Sequence, residues 1–267
     1  MIGAILGDIV GSIYEFDNIK TKEFELFDKN CFFTDDSVMT IAIAKALMQY
    51  DHIDKNNIEE FKENLITIMH DIGMKYPDCG YGGHFAGWLV FGDRAPYNSY
   101  GNGSAMRVSP VGWYANTLEE AELIAKATAD VTHNHPEGIK GAVATAGAVF
   151  LARTGATMDE LIEYISEYYT IDFTIDEIRP YYTFNVSCQG TVPQAMQAFF
   201  ESESFEDAIR NAISIGGDSD TLAAITGAVA EAYYGIPDDL KETALSYLDE
   251  YLLNITEQFE DIKHKDL

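Results

Sequence analysis

The sequence predicts an all-α protein, a compact orthogonal multi-helix domain of about 10–13 helices. Apolar residues recur at helical spacing along most of the chain. Many of these segments open with Ser, Thr, Asp or Asn, the residue types that cap helix N-termini. Alternating strand patterns are scarce, and no repeat of roughly 20–50 residues indicates a solenoid. These observations favour one helical domain over residues 1–267.

Composition and charge limit the classes of function. The chain has an apolar fraction of 47% and a net charge of −27, from 17 basic and 44 acidic residues. So large a negative charge disfavours nonspecific binding to nucleic acids or anionic membranes. No apolar run reaches the roughly 18 residues of a membrane span. Three cysteines without metal-binding spacing indicate reduced thiols: Cys31, Cys79 and Cys188. We therefore expect a cytoplasmic protein, with a monomer as the default.

The first helix is expected over residues 2–14. Three of its glycines fall four residues apart on one face: Gly3, Gly7 and Gly11. Each costs roughly 1 kcal/mol relative to alanine in a helix interior, so we expect another backbone to approach this face closely. Asp8 lies within the apolar stretch, and Glu15 follows it. Glu15 is therefore a candidate functional residue, although a glutamate after a helix is usually only a surface group.

The second helix is expected to begin after a loop over residues 18–33 and to end near Met48. It opens with a hydroxyl, two carboxylates and a second hydroxyl: Thr34, Asp35, Asp36 and Ser37. Adjacent aspartates at a helix start are compatible with ordinary capping. They are also compatible with half of a metal site, since hard oxygen ligands suit Mg²⁺ and Mn²⁺.

The middle of the chain alternates helices with glycine-rich loops. An amphipathic helix is expected from Asn57 to about Lys75, and a short one over residues 85–91. Glycine-rich loops are expected at residues 78–84 and 96–107. The second loop lacks the Walker pattern and no strand precedes it, which argues against a Walker or Rossmann site. Its backbone N–H groups could still bind a phosphate, or the segment is a plain connection.

Cap residues predict the next helices. Thr117 with Glu120 forms the pattern of a capping box for residues 118–130. Pro136 suits the first position of a helix over residues 137–153, whose many small residues indicate a central, tightly packed element. His133 and His135 would then lie at its N-terminal end. Because the sequence has no matching His or Cys cluster, the spacing of these two histidines does not predict a zinc site.

The remaining helices are expected near residues 157–169, 191–201 and 205–214, with an acidic helical region from Pro237 onward. Residues 170–190 are aromatic and polar, and a short strand near residues 183–188 is possible. Residues 261–267 are expected to fray.

A second acidic helix start lies about 180 residues after the first. Behind a glycine pair it carries two carboxylates flanked by hydroxyls: Gly216, Gly217, Asp218, Ser219, Asp220 and Thr221. Glycine permits backbone angles closed to other residues, and Asp218 or Ser219 can cap the helix. One capping aspartate would satisfy the helix end, so two indicate an excess of hard oxygen ligands. The two acidic starts look like halves of one metal site.

Five segments in order now resemble the ADP-ribosylglycohydrolase family. They are Gly7-Asp8-x-x-Gly11 with Glu15, then Thr34-Asp35-Asp36, then residues 99–107, then Thr132-His133 with Pro136, and last residues 217–221. Together they extend from residue 3 to about residue 235. Any one of them is weak, whereas five in order are specific.

The resemblance implies a compact helical fold with two divalent cations, Mg²⁺ or Mn²⁺. It implies Glu15 as the catalytic or metal-proximal glutamate, although Asp36 or Asp220 could instead orient water. The implied metal ligands are Thr34, Asp35, Asp36, Asp218, Asp220 and Thr221. The implied diphosphate and ribose contacts are Ser99, Tyr100, Gly101, Asn102, Gly103 and His133. Ser219 stands where relatives often carry threonine.

The implied activity is hydrolytic release of ADP-ribose from a modified protein or small molecule. The leading expectation is cleavage of the N-glycosidic bond of ADP-ribosyl-arginine. An O-glycosidic linkage, to serine or in O-acetyl-ADP-ribose, is the nearest alternative. A noncatalytic ADP-ribose-binding regulator would have lost metal ligands, and none is missing here. A structural helical protein, whose acids are only caps, would bind no divalent cation.

Overall fold

The computed structural model describes residues 1–263 and contains fifteen α-helices in that range. A 3-10 turn, Ser12–Tyr14, extends the first helix. The helices are α1 Ile2–Gly11, α2 Asp35–Leu47, α3 Ile58–Gly73, α4 Gly83–Phe91, α5 Gly103–Met106, α6 Ser109–Tyr114, α7 Leu118–Asp130 and α8 Pro136–Arg153. The remainder are α9 Met158–Ser166, α10 Ile175–Ile178, α11 Cys188–Phe200, α12 Phe205–Ser214, α13 Ser219–Tyr234, α14 Asp238–Leu245 and α15 Glu250–Lys263. The prediction of an all-α fold is confirmed.

The pair formed by α1 and α13 lies at the centre of the molecule. Every residue of α1 is buried, and its glycine face lies directly on the α13 backbone. A Cβ atom on Gly7 would fall 2.7 Å from the backbone nitrogen of Ala224, and one on Gly11 would fall 2.7 Å from that of Asp220. Such distances leave no room for a side chain. The glycine spacing therefore serves the close backbone approach that the sequence predicts.

A second central helix, α8, packs against α7, α6 and α13. Small residues permit this packing, since Gly141 faces Cys188 and Gly147 faces the Tyr164 hydroxyl. His135 is the N-cap residue of α8, and its Nδ1 accepts a hydrogen bond from the Glu137 backbone N–H at 3.1 Å. Pro136 occupies the first turn, as expected. His133, two residues before this cap, lies beside the first residue of α5, since a Cβ on Gly103 would fall 3.2 Å from its Nε2.

The observed caps differ from the predicted ones at two helix starts. The Glu120 side chain accepts from the backbone N–H of Asn116, so the box predicted with Thr117 is only half formed. Asp218 occupies the N-cap position of α13, but its side chain makes no capping hydrogen bond. The reason is that this carboxylate accepts from Asn102 instead, at 2.7 Å. A reciprocal capping box of Thr157 and Glu160 begins α9, and the Ser204 side chain caps α12.

Three local predictions need correction. The glycine-rich loop over residues 96–107 contains the single-turn helix α5. Residues 170–190 contain the single-turn helix α10 and, within the described chain, no strand, because only an isolated bridge joins Gly101 to Ser187. The chain remains helical to Lys263, so residues 261–263 belong to α15. The rest of the expected frayed tail, residues 264–267, lies outside the described residues.

None of the helices described for residues 1–263 has both the length and the apolar character needed to cross a membrane.

Candidate active site

A cavity of about 570 Å³ opens where the end of the α1 segment meets α5 and the N-termini of α2 and α13. Its size is that of a small-molecule site. Eleven of the thirteen residues predicted for the site line it: Glu15, Asp35, Asp36, Ser99, Gly101, Asn102, Gly103, His133, Asp218, Asp220 and Thr221. The structure therefore brings together segments that are separated by up to about 200 residues in the sequence.

Two of the predicted residues do not line the cavity. Thr34 is buried behind it, and its hydroxyl donates to Asp8 at 2.6 Å. Tyr100 is 53% exposed, and its ring packs edge-on against His135 at a centroid distance of 5.4 Å.

Carboxylates at one end of the cavity form two groups of three. One oxygen atom each from Asp8, Asp36 and Asp220 lies within 4.8 Å of the other two, and the same holds for Glu15, Asp218 and Asp220. Asp220 belongs to both groups. All of these side chains are buried except Glu15, which is half-buried. So many buried acids repel one another and lose hydration, which is costly without a nearby cation.

The oxygen atoms of these acids are only partly used by the protein. Asp36 Oδ2 accepts from the Thr221 hydroxyl at 3.2 Å, whereas its Oδ1 is buried without a hydrogen-bond partner among the described residues. Asp218 Oδ2 accepts from the side-chain amide of Asn102 at 2.7 Å, and that amide also donates to Thr191. Asn102 therefore orients a carboxylate, in addition to lining the cavity.

Asp8 is a part of the site that the sequence argument noticed without giving it a role. Its carboxylate accepts from the backbone N–H groups of Thr34, at 2.9 Å, and Ser37, at 3.1 Å, and from both of their hydroxyls. These bonds fasten the start of α2 to the middle of α1. A carboxylate inside a glycine-faced apolar helix was the available signal, because burial of an acid demands partners.

Burial raises the pKa of every carboxyl in the two groups. For Glu15 burial, followed by the charges of Asp218 and Asp8, raises the pKa to about 7. For Asp8 burial outweighs the hydrogen bonds it accepts and raises the pKa to about 6. The pKa values of Asp36 and Asp220 are raised well above the ordinary range, by burial first and by neighbouring aspartates second. Clusters of this kind are typical of functional sites.

A chain of hydrogen bonds fixes the orientation of His133. The Arg107 guanidinium donates to the Thr132 hydroxyl at 2.7 Å, and that hydroxyl lies 2.8 Å from His133 Nδ1. Because a guanidinium only donates, the Thr132 proton is free to point at Nδ1. Burial and Arg107 hold the pKa of His133 well below its usual range, so the ring is neutral with its proton assigned to Nε2. That atom faces Gly103, where a Cβ would fall 3.2 Å away.

Two aromatic side chains that sequence reasoning missed lie at the cavity or against its lining. Phe184 lines it and stacks on Phe16 at a centroid distance of 6.0 Å. Phe16 is 85% exposed and follows Glu15 directly. No sequence pattern could have paired them, because only the folded chain brings residues 16 and 184 together.

Comparisons with known proteins agree with this geometry. The family model for ADP-ribosylglycohydrolase matches residues 1–265. Mouse ADP-ribosylhydrolase ARH3 is 25% identical, over 88% of this chain and 83% of its own. The ADP-ribosyl-[dinitrogen reductase] glycohydrolase of Rhodospirillum rubrum is 29% identical, over 81% of this chain and 73% of its own. The ADP-ribosylarginine hydrolase Tri1 of Pseudomonas putida is 25% identical, over 88% and 70%.

A solved structure described as an ADP-ribosylglycohydrolase-related protein complex shares the fold. It superposes with a TM-score of 0.68 over 98% of this chain and 97% of that one, at 21% sequence identity. The fold and the nearly full-length family match lead to one conclusion: the chain belongs to the ADP-ribosylglycohydrolase family of enzymes.

Proposed function

We propose that this protein is a metal-dependent hydrolase that releases ADP-ribose by cleaving the N-glycosidic bond of ADP-ribosyl-arginine. The observation that carries the proposal is the pair of carboxylate groups sharing Asp220, with Glu15 beside them, in a cavity of about 570 Å³. The arginine linkage is supported by the Pseudomonas putida relative, which is an ADP-ribosylarginine hydrolase. A protein or a small molecule could carry the modified arginine.

The donor atoms fit divalent cations. Carboxylate and hydroxyl oxygens are the ligands that Mg²⁺ and Mn²⁺ prefer, and the buried Asp36 Oδ1 has no partner among residues 1–263. Two cations would be held by Thr34, Asp35, Asp36, Asp218, Asp220 and Thr221. Thr34 would contribute a remaining lone pair, since its hydroxyl already donates to Asp8. When bound, such cations orient the sugar hydroxyls and lower the pKa of water.

Glu15 is the proposed general base. Its half-buried carboxyl has a pKa of about 7, which is near the value that makes proton transfer efficient at neutral pH. It would accept a proton from the water whose oxygen bonds to the anomeric carbon of the ribose. The bond from that carbon to the arginine nitrogen breaks with its electron pair on nitrogen, and the released guanidine takes up a proton and leaves as guanidinium. Asp36 and Asp220 are the alternatives for orienting this water, since both lie in the same carboxylate groups.

The loop over residues 99–103 is the proposed site for the diphosphate and ribose. In this loop the Gly101 N–H already donates to the Ser99 hydroxyl at 3.1 Å, and the Asn102 N–H donates to the Val186 carbonyl at 2.7 Å. The proton of the Ser99 hydroxyl is therefore left to donate to a phosphate oxygen. The neutral His133 would donate from Nε2 to a phosphate or ribose oxygen. The chain has a net charge of −27, which is unfavourable for an anion. Uncharged donors from the backbone and from neutral side chains can still hold the anion by hydrogen bonds, without a positively charged side chain.

The deciding experiment measures free ADP-ribose released from arginine-linked and serine-linked substrates, and from O-acetyl-ADP-ribose, with Mg²⁺, with Mn²⁺ and with a chelator. We expect release from the arginine substrate, and loss of release when the cations are chelated. Faster release from the serine substrate would move the assignment to an O-glycosidic linkage. Bound cation without release from any substrate would leave a noncatalytic ADP-ribose-binding protein.

A further inference from the structure

The chain that follows Glu15 is fastened to the turn that precedes Asp218. We call residues 15–20 the Glu15 segment and residues 215–217 the Gly216 turn. The turn requires glycine, because φ is +65° at Gly216 and +81° at Gly217, angles that other residues rarely adopt. Asp218 comes directly after it. The segment therefore begins with Glu15 and the turn leads into Asp218, two carboxylates of the same group that about 200 residues separate in the sequence.

Asn18 is the main connection between these two pieces. Its side-chain nitrogen donates to the carbonyl oxygens of Tyr14 at 2.6 Å, Glu15 at 3.0 Å and Gly217 at 2.9 Å. Its side-chain oxygen accepts from the Gly217 N–H at 2.7 Å. Three carbonyls on one side and an N–H on the other determine which end of the amide is nitrogen, and its two N–H groups are shared among the three carbonyls. Asn18 thus binds both backbone groups of Gly217 and also contacts the carbonyl of Glu15.

Lys20 provides a second connection at the other end of the segment. Its ammonium donates to the carbonyl oxygens of Tyr182, at 2.6 Å, and Ile215. Ser219 adds a third, since its hydroxyl donates to the Tyr14 carbonyl at 3.2 Å. Of these three residues, only Asn18 bonds to Glu15 itself.

The Glu15 carboxyl depends on this arrangement for its position. Among residues 1–263 it receives no side-chain or backbone hydrogen bond; its near neighbours are the oxygens of Asp218 and Asp220. Those neighbours repel it when they are charged. Nothing local therefore holds the carboxyl in place, and the backbone of its segment must do so. A displacement of about 1 Å in a reacting group is enough to cost roughly 100-fold in rate.

We propose that Asn18 is a positioning residue, which holds Glu15 at its working distance from Asp218 and Asp220 by fastening the Glu15 segment to the Gly216 turn. This inference rests on the proposed function, because it assumes that Glu15 takes part in the reaction. Asn18 touches neither the cavity nor the substrate, and it acts through the backbone of Glu15.

The test compares Asn18→Ala with Asn30→Ala in the ADP-ribose release assay. Asn30 is an exposed asparagine whose side chain bonds only to Asp28, so it serves as a matched control. We expect N18A to lower kcat roughly 10- to 100-fold, the usual effect of removing a group that orients another. We expect its KM and its Mn²⁺ affinity, the latter measured by calorimetry, to change by no more than about threefold. Its unfolding temperature should stay close to that of N30A. N30A should match the wild type throughout.

A second variant separates the two halves of the contact. Asn18→Asp keeps the acceptor for the Gly217 N–H but loses the donor to the carbonyls of Tyr14, Glu15 and Gly217, so its kcat should fall as in N18A. An unchanged kcat in either variant overturns the inference. A fall in kcat accompanied by equal losses of Mn²⁺ affinity or unfolding temperature also overturns it, since the role would then be structural. No ADP-ribose release by the wild type would instead refute the proposed function.

Discussion

Glu15 and Asp220 carry most of the chemistry proposed at the scale of single residues. Glu15 is half-buried with a raised pKa, whereas Asp220 is fully enclosed and common to both carboxylate groups. Their substitutions should therefore have different consequences. One should remove the proton acceptor, and the other should remove the cations.

Glu15→Gln is expected to lower kcat by about 10²–10⁴-fold, the range for losing a general base. In the wild type kcat should fall as pH drops below the pKa of Glu15, because the base works only when deprotonated. That pKa is about 7 without cations, and bound cations should shift the fall in kcat to lower pH. The measurement is the pH dependence of ADP-ribose release. Near-full turnover by E15Q with cations bound would remove Glu15 from the mechanism.

Asp220→Asn is expected to weaken Mg²⁺ and Mn²⁺ binding by at least roughly 100-fold, beyond the effect of losing a group that merely orients a ligand. The reason is that Asp220 contributes an oxygen to both groups. Calorimetric titration with each cation checks this. Asp71→Asn, at an exposed position on α3, is the control and should bind as the wild type does. Wild-type affinity in D220N would place the cations elsewhere.

At the scale of elements, α1 contributes both to the candidate site and to the central packing. It supplies Asp8 to the site, it leads into Glu15, and its glycine face meets α13. Its composition would be unfavourable for an isolated helix. The stability of α1 therefore comes from its contact with α13, and that contact tolerates almost no added volume.

Gly7→Ala is expected to destabilise the protein by about 3 kcal/mol or more, the upper end for overpacking, because the new methyl group meets backbone atoms of α13. Chemical denaturation measures the change. Gly87→Ala is the matched control, since Gly87 lies within α4 and its added Cβ finds only ordinary contacts with Phe91 at 3.7 Å. That variant should be neutral or stabilised by up to about 1 kcal/mol. Equal effects of the two substitutions would contradict the packing argument.

Several of these elements follow from local sequence, and others do not. The start of α2 is predictable because Thr34 caps it and acidic residues fill its first turn. The partnership of Asp8 with Thr34 and Ser37 is not, because it depends on how α1 and α2 pack. Asp218 or Ser219 was expected to cap α13, and the bond from Asn102 to Asp218 could not be foreseen for the same reason. Position within a helix is a local property, whereas the direction of a side chain is set by its tertiary neighbours.

At the scale of the whole molecule, the site links stability to pH and to cations. Carboxyls whose pKa is raised by folding favour the folded state below their ordinary pKa, and that contribution is lost as pH rises through the folded value. Asp8 loses this contribution as the pH rises to its folded pKa of about 6, and Glu15 loses it as the pH rises to its folded pKa of about 7. His133 acts in the opposite direction, since its lowered pKa removes stability as pH falls below its ordinary value. The carboxyl groups with a raised pKa outnumber this single histidine.

Mn²⁺ is therefore expected to raise the unfolding temperature more at about pH 7.5 than at about pH 5, because protons compete with the cation for the same oxygens. A hundredfold excess over Kd corresponds to about 2.7 kcal/mol, or roughly 5–10 °C for a chain of this size. Thermal scans with Mn²⁺ and with a chelator measure this. D220N should lose the shift and D71N should keep it. An equal or larger shift at the lower pH would refute the competition.

The same scans bear on domain organisation, since a single domain over residues 1–267 predicts one cooperative transition. A monomer, the default expected from the sequence, can be checked by the mass of the protein in solution.

The α1–α13 pairing also constrains how the chain is made. Residue 11 leaves the ribosome about 200 residues before α13 begins, which at ordinary rates of synthesis is roughly 10–40 s. During that interval an apolar helix with a glycine face has no partner helix to pack against. The α1 segment must wait for one that is synthesised about 200 residues later, so premature association of nascent chains is the hazard of this architecture. Truncations that end before residue 219 should accordingly aggregate.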